Sequence, residues 1–88
     1  MNNATIWKFD ITDTEEIEIP SKAQFLKAMI QNHRICLWFL VTPTNPKQKR
    51  SFRIIGTGYS CDSVWWSDYL DTVMTEDHSL VWHIFEVV

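Results

Sequence analysis

The chain has 88 residues, a formal charge of −3, 45% hydrophobic residues and only two cysteines. That length leaves room for one hydrophobic core and excludes a second domain. Two cysteines exclude a disulfide scaffold, and no apolar run approaches the length of a membrane-spanning helix.

From the N-terminus, Thr5-Ile6-Trp7-Lys8-Phe9-Asp10-Ile11 alternates with period two, so Trp7, Phe9 and Ile11 share the inner face of a half-buried strand. Thr12-Asp13-Thr14-Glu15 has turn chemistry. Glu16-Ile17-Glu18-Ile19 alternates again, with Ile17 and Ile19 inward, and Pro20 ends it. Segment 21–32 reads two ways. Phe25, Leu26, Met29 and Ile30 have helical spacing behind a capping Ser21, yet Asn32-His33-Arg34 can be a hairpin turn, which would make 24–31 a strand.

Ile35–Val41 is apolar on both faces, the pattern of a central strand covered on both sides, with Cys36 a small buried hydrophobe. Residues 42–49, with Pro43 and Pro46, read as a loop carrying Lys47 and Lys49. Residues 50–55 form the next strand, Phe52 and Ile54 on one face and Arg53 on the other. Gly56-Thr57-Gly58 breaks it; these two glycines are the only ones in the chain and call for positive φ or a close approach. Residues 59–68 read as a polar connection carrying Trp65-Trp66, residues 69–75 as a short strand or helical turn, residues 75–79 as a turn, and residues 80–87 as a closing strand. The sum is an all-β single domain over 1–88, a small barrel or sandwich of about six strands.

The charges fall in blocks. Residues 1–19 hold five acids against Lys8. Residues 20–61 hold seven Lys and Arg and no acid. Residues 62–88 hold six acids and no Lys or Arg. A basic middle third can attract an anion although the chain is acidic; equally, neighbouring strands can pair acid with base inside the fold.

Chemistry-bearing motifs are sparse. His33, His78 and His83 lack the short spacings of a zinc site, and His83 reads as a structural residue bonded to backbone or to a carboxylate. Ser60-Cys61-Asp62-Ser63 offers nucleophile types without a nucleophile elbow or a placed base. Gly56-Thr57-Gly58 lacks the third glycine and following helix of a dinucleotide fingerprint. What remains is a candidate anion site: Arg53 and Arg50, Lys49 and Lys47, the backbone of Gly56, Thr57 and Gly58, and Trp65 or Trp66 as a stacking platform for a base. Arg50 and Arg53 point to opposite faces of a regular strand, so Arg53, nearer the glycines, is the expected anchor.

Several runs together resemble a family of small uncharacterised proteins encoded by phages and prophages. They are Ile6-Trp7-Lys8-Phe9; Ile19-Pro20 with Ala23 and Leu26; Ile35-Cys36-Leu37-Trp38; Arg50 and Phe52 leading to Ile55-Gly56-Thr57-Gly58; and Val81-Trp82-His83 with Phe85-Glu86. The likeness runs nearly end to end and departs between Tyr59 and Ser79. It implies a phage origin, a β fold and a strand at 24–31, and supplies no activity. The expectation is a non-enzymatic accessory protein without cofactor or metal, in the host cytosol, self-associating. It would sequester a small anionic, nucleotide-type ligand and so blunt host defence. The alternative is an inhibitor that docks on a host protein through an acidic surface. Net acidity argues against nucleic acid, and the N-terminus lacks the apolar core of a signal peptide.

Overall fold

A computed structural model describes residues 3–64 and 67–87. Seven strands form two antiparallel sheets. The strands are β1 (Thr5–Asp10), β2 (Glu16–Pro20), β3 (Gln24–Gln31), β4 (Arg34–Val41), β5 (Lys47–Gly56), β6 (Ser67–Met74) and β7 (Val81–Val87), with one turn of 3-10 helix at Asp62–Val64. One sheet has the order β1-β4-β3 and the other β2-β5-β7-β6. The all-β single domain expected from the sequence is the fold observed, as a two-sheet sandwich with one strand more than counted. None of the described helical residues forms a helix long and apolar enough to cross a membrane.

The inner faces follow the alternation. Trp7 and Phe9 of β1, Ile17 and Ile19 of β2, Leu37 and Phe39 of β4, Phe52 of β5 and Ile84 of β7 meet between the sheets. Phe39 is the hub. Its ring lies 5.9 Å from Phe9, 5.7 Å from Phe25 and 6.2 Å from Phe52, in edge-on or tilted geometries that suit aromatic quadrupoles.

The ambiguous segment 24–31 is a strand, because the hairpin decides it. Asn32 and His33 have φ of 51° and 64°, the two successive positive values of a type I′ turn, whose twist matches that of the strands it joins. Two boundaries need correction. Lys47 and Lys49 lie in β5, not in a loop: proline forbids pairing only as far as Pro46, and Pro20↔Lys47 already opens the β2–β5 ladder. Of the two readings of 69–75 the strand is the one observed, and it starts at Ser67, inside the segment read as a connection. The central strand β4 is fully covered on one side only: Ile35, Leu37, Phe39 and Val41 are buried, while on the other face Cys36 is buried as expected, Trp38 is half-buried and Leu40 is exposed.

The sheets also meet edge to edge along β3 and β6. The ladder of each slips between Phe25 and Lys27 and between Tyr69 and Asp71, so both carry a bulge. The β6 bulge turns Asp71 toward the seam, where its Oδ2 accepts the Ala28 amide at 3.0 Å. A carboxylate thus takes the place of a backbone carbonyl where two edges fail to pair.

The charge blocks pair within the fold. Every ion pair among the described residues joins the basic middle third to an acidic outer third: Arg34 with Asp10 and Asp13, Lys49 with Glu16, Arg50 with Glu86, Arg53 with Glu15.

Candidate ligand-binding face

Strand β5 spreads the candidate cations out. Lys47 and Gly56 stand at opposite ends of this ten-residue strand, about 30 Å apart at the usual rise per residue. Lys47 holds its ammonium 5.7 Å from the centre of the Trp7 ring, far from the glycine turn. Lys49 is exposed and 3.9 Å from Glu16.

Arg50 shares the inward parity of Phe52 and is committed there. Its Nε and Nη2 donate to the two Glu86 carboxylate oxygens at 2.5 and 2.7 Å, its Nη1 donates to the Ala23 carbonyl at 2.7 Å, and its guanidinium lies 4.9 Å from the Phe39 ring centre. These bonds tie β5 to β7 and to the residue before β3, a structural task that leaves no arm for a ligand.

Arg53 lies on the outer face of the four-stranded sheet, half exposed. Its Nη1 donates to the neighbouring Phe52 carbonyl at 3.0 Å and stands 3.8 Å from the exposed Glu15 carboxylate, a loose contact. The ladders align Arg53 with Phe85 on β7 and Phe85 with Tyr69 on β6. Tyr69 and Phe85 meet edge-on with centroids 5.6 Å apart, so Arg53 and two rings share one register row across three strands, with the guanidinium turned to the β2 side, toward Glu15.

The next row holds Ile55, His83 and Thr72. It is joined to the first by a chain of hydrogen bonds. Tyr69 Oη is 2.6 Å from Thr72 Oγ1, which is 3.0 Å from His83 Nδ1; His83 Nε2 is 2.7 Å from Thr57 Oγ1. The β6 bulge makes this possible, because in a regular strand Tyr69 and Thr72, three apart, would face opposite sides. With the imidazole neutral, the four groups carry four protons for three bonds. If Nε2 donates to Thr57, the Thr57 hydroxyl keeps a proton; if Nδ1 donates to Thr72, the spare proton lies on Thr72 or Tyr69. Either tautomer leaves one hydroxyl donor on the face that carries Arg53.

Thr57 is placed by the glycines. Residues 56–59 form a turn closed by the Tyr59 amide on the Gly56 carbonyl at 3.1 Å, and Gly58 at φ 90° meets the positive-φ requirement. Gly56 supplies the close approach instead: a Cβ there would stand 2.8 Å from the Tyr59 ring and 3.1 Å from Trp82.

Of the residues singled out in the sequence, Arg53 lies in the half of β5 that leads into the 56–58 turn; Lys49 shares its face four residues back and is near Glu16, Lys47 is at the far end of the strand, and Arg50 is internal. Trp65 and Trp66 lie outside the described residues. Tyr69, Thr72 and Phe85 were not singled out. The signal for Phe85 was available, since Trp82-His83-Ile84-Phe85 puts His83 and Phe85 on one face; Tyr69 and Thr72 depend on a bulge that no local pattern announces. His83 bonds neither backbone nor carboxylate but two threonine hydroxyls.

No curated protein and no solved structure matches the chain. Residues 2–88 match the family described as a domain of unknown function (DUF7352), and the chain belongs to that family.

Proposed function

We propose that the outer face of the four-stranded sheet binds a small planar anion of the nucleotide type and holds it without converting it. The observation that carries the reading is the register row Arg53–Phe85–Tyr69: a half-exposed arginine on the same face as two rings, held only by the Phe52 carbonyl and a loose contact to Glu15, beside a hydrogen-bonded chain with one hydroxyl proton left over. A phosphate matches the planar fork of arginine, a base matches the ring row, and a donor from Thr57 or Tyr69 suits a phosphate oxygen. Glu15 and the incoming phosphate compete for Arg53, and the loose 3.8 Å contact favours exchange. In the phage setting implied by the sequence resemblance, holding such a ligand removes a host signal from circulation.

Calorimetric titration of cyclic and linear nucleotides against the native chain tests the reading. Arg53→Ala should weaken binding by roughly 1.5–3 kcal/mol, the scale of a charged hydrogen bond. Lys47→Ala should leave binding unchanged. If the native chain binds none of the nucleotides, or Arg53→Ala binds as well as wild type, the reading fails.

A further inference from the structure

The end of the sandwich where the β1–β2, β3–β4 and β6–β7 turns converge is open. Two hollows, of about 900 and 510 Å³, lie there and share Thr12, Ile35 and Trp82. Their floor is apolar: Ile35 is a buried core residue, and Ile30, Ile54 and Trp82 pack against the core from its margin. The half-buried indole of Trp82 is common to both hollows. The larger volume is that of a site for a small molecule.

Carboxylates border this floor on two sides. The larger hollow is walled by Glu76 and Asp77, with His33 and His78 also on its rim, and the smaller by Asp13 and Glu15; among the described residues no Lys or Arg lines either. The acids differ in what they can offer. Asp13 bonds Arg34 at 2.6 Å, and Glu15 is near Arg53. Asp77 is fixed: its Oδ1 accepts the Thr75 hydroxyl at 2.6 Å and the Ser79 amide and hydroxyl at 3.0 and 2.7 Å. Those bonds hold its carboxyl down at about 2, so it stays charged, and no described residue bonds Oδ2. Glu76, next to it, makes no ion pair among the described residues.

An apolar floor with an indole and a wall of carboxylates selects against anions and gives a neutral apolar molecule no use for the wall. We propose that this cleft binds a small organic cation with an apolar body, an arylalkyl ammonium in chemical class. The body lies on Ile30, Ile35 and Trp82, and the ammonium lies near Glu76 and Asp77, whose carboxylates attract it. The ammonium end at Glu76 and Asp77 is opposite in charge preference to the Arg53 face and does not rest on the function proposed for that face; Glu15, on the rim of the smaller hollow, is the residue that borders both.

The test is an NMR titration of the native chain with phenethylammonium, phenylethanol, phenylacetate and putrescine. Phenethylammonium should shift the Trp82 indole and the amides of residues 75–80 and 32–35. The neutral and anionic analogues should bind at least several-fold more weakly, and putrescine, without an apolar body, should not shift the Trp82 indole. Glu76→Gln, at an exposed turn position, should weaken phenethylammonium by about two- to fivefold, the range of a solvent-exposed ion pair. Arg53→Ala should not weaken it, which separates this result from the nucleotide titration. Equal binding of phenylethanol, unchanged affinity in Glu76→Gln, or shifts confined to other parts of the chain would each overturn the proposal.

Discussion

Removing Glu86 should strand the Arg50 guanidinium between the sheets. The pair is mostly enclosed, with side-chain exposures of 16% and 18%. Glu86→Ala deletes two charge-assisted bonds and leaves Arg50 the Ala23 carbonyl and the Phe39 ring. Breaking a fully buried pair costs about 3–5 kcal/mol. The residual exposure lets water reach the freed arms, so about 2–4 kcal/mol is expected here. Glu86→Gln keeps one acceptor and the shape, and should cost about half as much. Replacing both partners, as Arg50→Met with Glu86→Leu, should recover most of the loss, because no uncompensated charge remains. Urea unfolding followed by circular dichroism measures all three; the midpoint should fall while the denaturant slope stays constant. A Glu86→Ala chain within 0.5 kcal/mol of wild type, or a double variant no better than the single one, would refute the argument that the pair matters through its enclosure.

Three other perturbations probe the seam, the turn and the acid limit. Asp71→Ala leaves the nearly buried Ala28 amide without its acceptor, so stability should drop by about 1–3 kcal/mol and exchange of the Ala28 amide proton should speed up selectively; an unaltered exchange rate would show that the sheets close without the carboxylate. His33→Gly, at φ 64°, relieves a left-handed strain of about 1–2 kcal/mol, offset in part by glycine's greater freedom when unfolded; a small rise in melting temperature is expected, and a fall would refute the strain. Arg34 and Thr12 hold the Asp10 carboxyl at about 2 against its usual 3.8. The unfolded chain therefore takes up this proton first as pH falls, so the contribution is complete above about pH 4 and lost as pH drops through about 2. Asp10→Asn should flatten the urea midpoint between pH 4 and 2, and since Asp77 is depressed similarly, part of the slope should persist.

The elements most legible in the sequence were those whose burial is one-sided. Alternation in 5–11, 16–19 and 50–55 set which residues face inward, and Arg50 and Arg53 separated to opposite faces as their spacing requires. Segment 24–31 was undecidable by periodicity because its bulge at Leu26 breaks the period of two and imitates helical spacing. Residues 67–74 were obscured for the same reason at Leu70. Apolarity on both faces of β4 implied two covering layers, whereas Trp38 and Leu40 face outward beside β1 and β3 with only one layer behind them. At the candidate face, Arg53 and the glycine turn could be found because both are local. The Tyr69–Thr72–His83–Thr57 chain joins three segments through a bulge and two ladders, and pairing of that range leaves no mark in a local pattern.

The segregated charges also bear on how the chain finds its fold. An unfolded chain with an acidic front, a basic middle and an acidic rear repels itself within each block and attracts itself between blocks. Those attractions favour encounters between the segments that end as neighbours: β1 and the β1–β2 turn with the start of β4, β2 with β5, β5 with β7. Long-range strand pairing is slow because loop closure comes before any contact that rewards it. Electrostatic bias at the encounter stage lowers that barrier, and it reaches only about 10 Å at 0.1 M salt. The arrangement that looks like a static set of ion pairs therefore makes folding speed a function of ionic strength, with salt slowing the search.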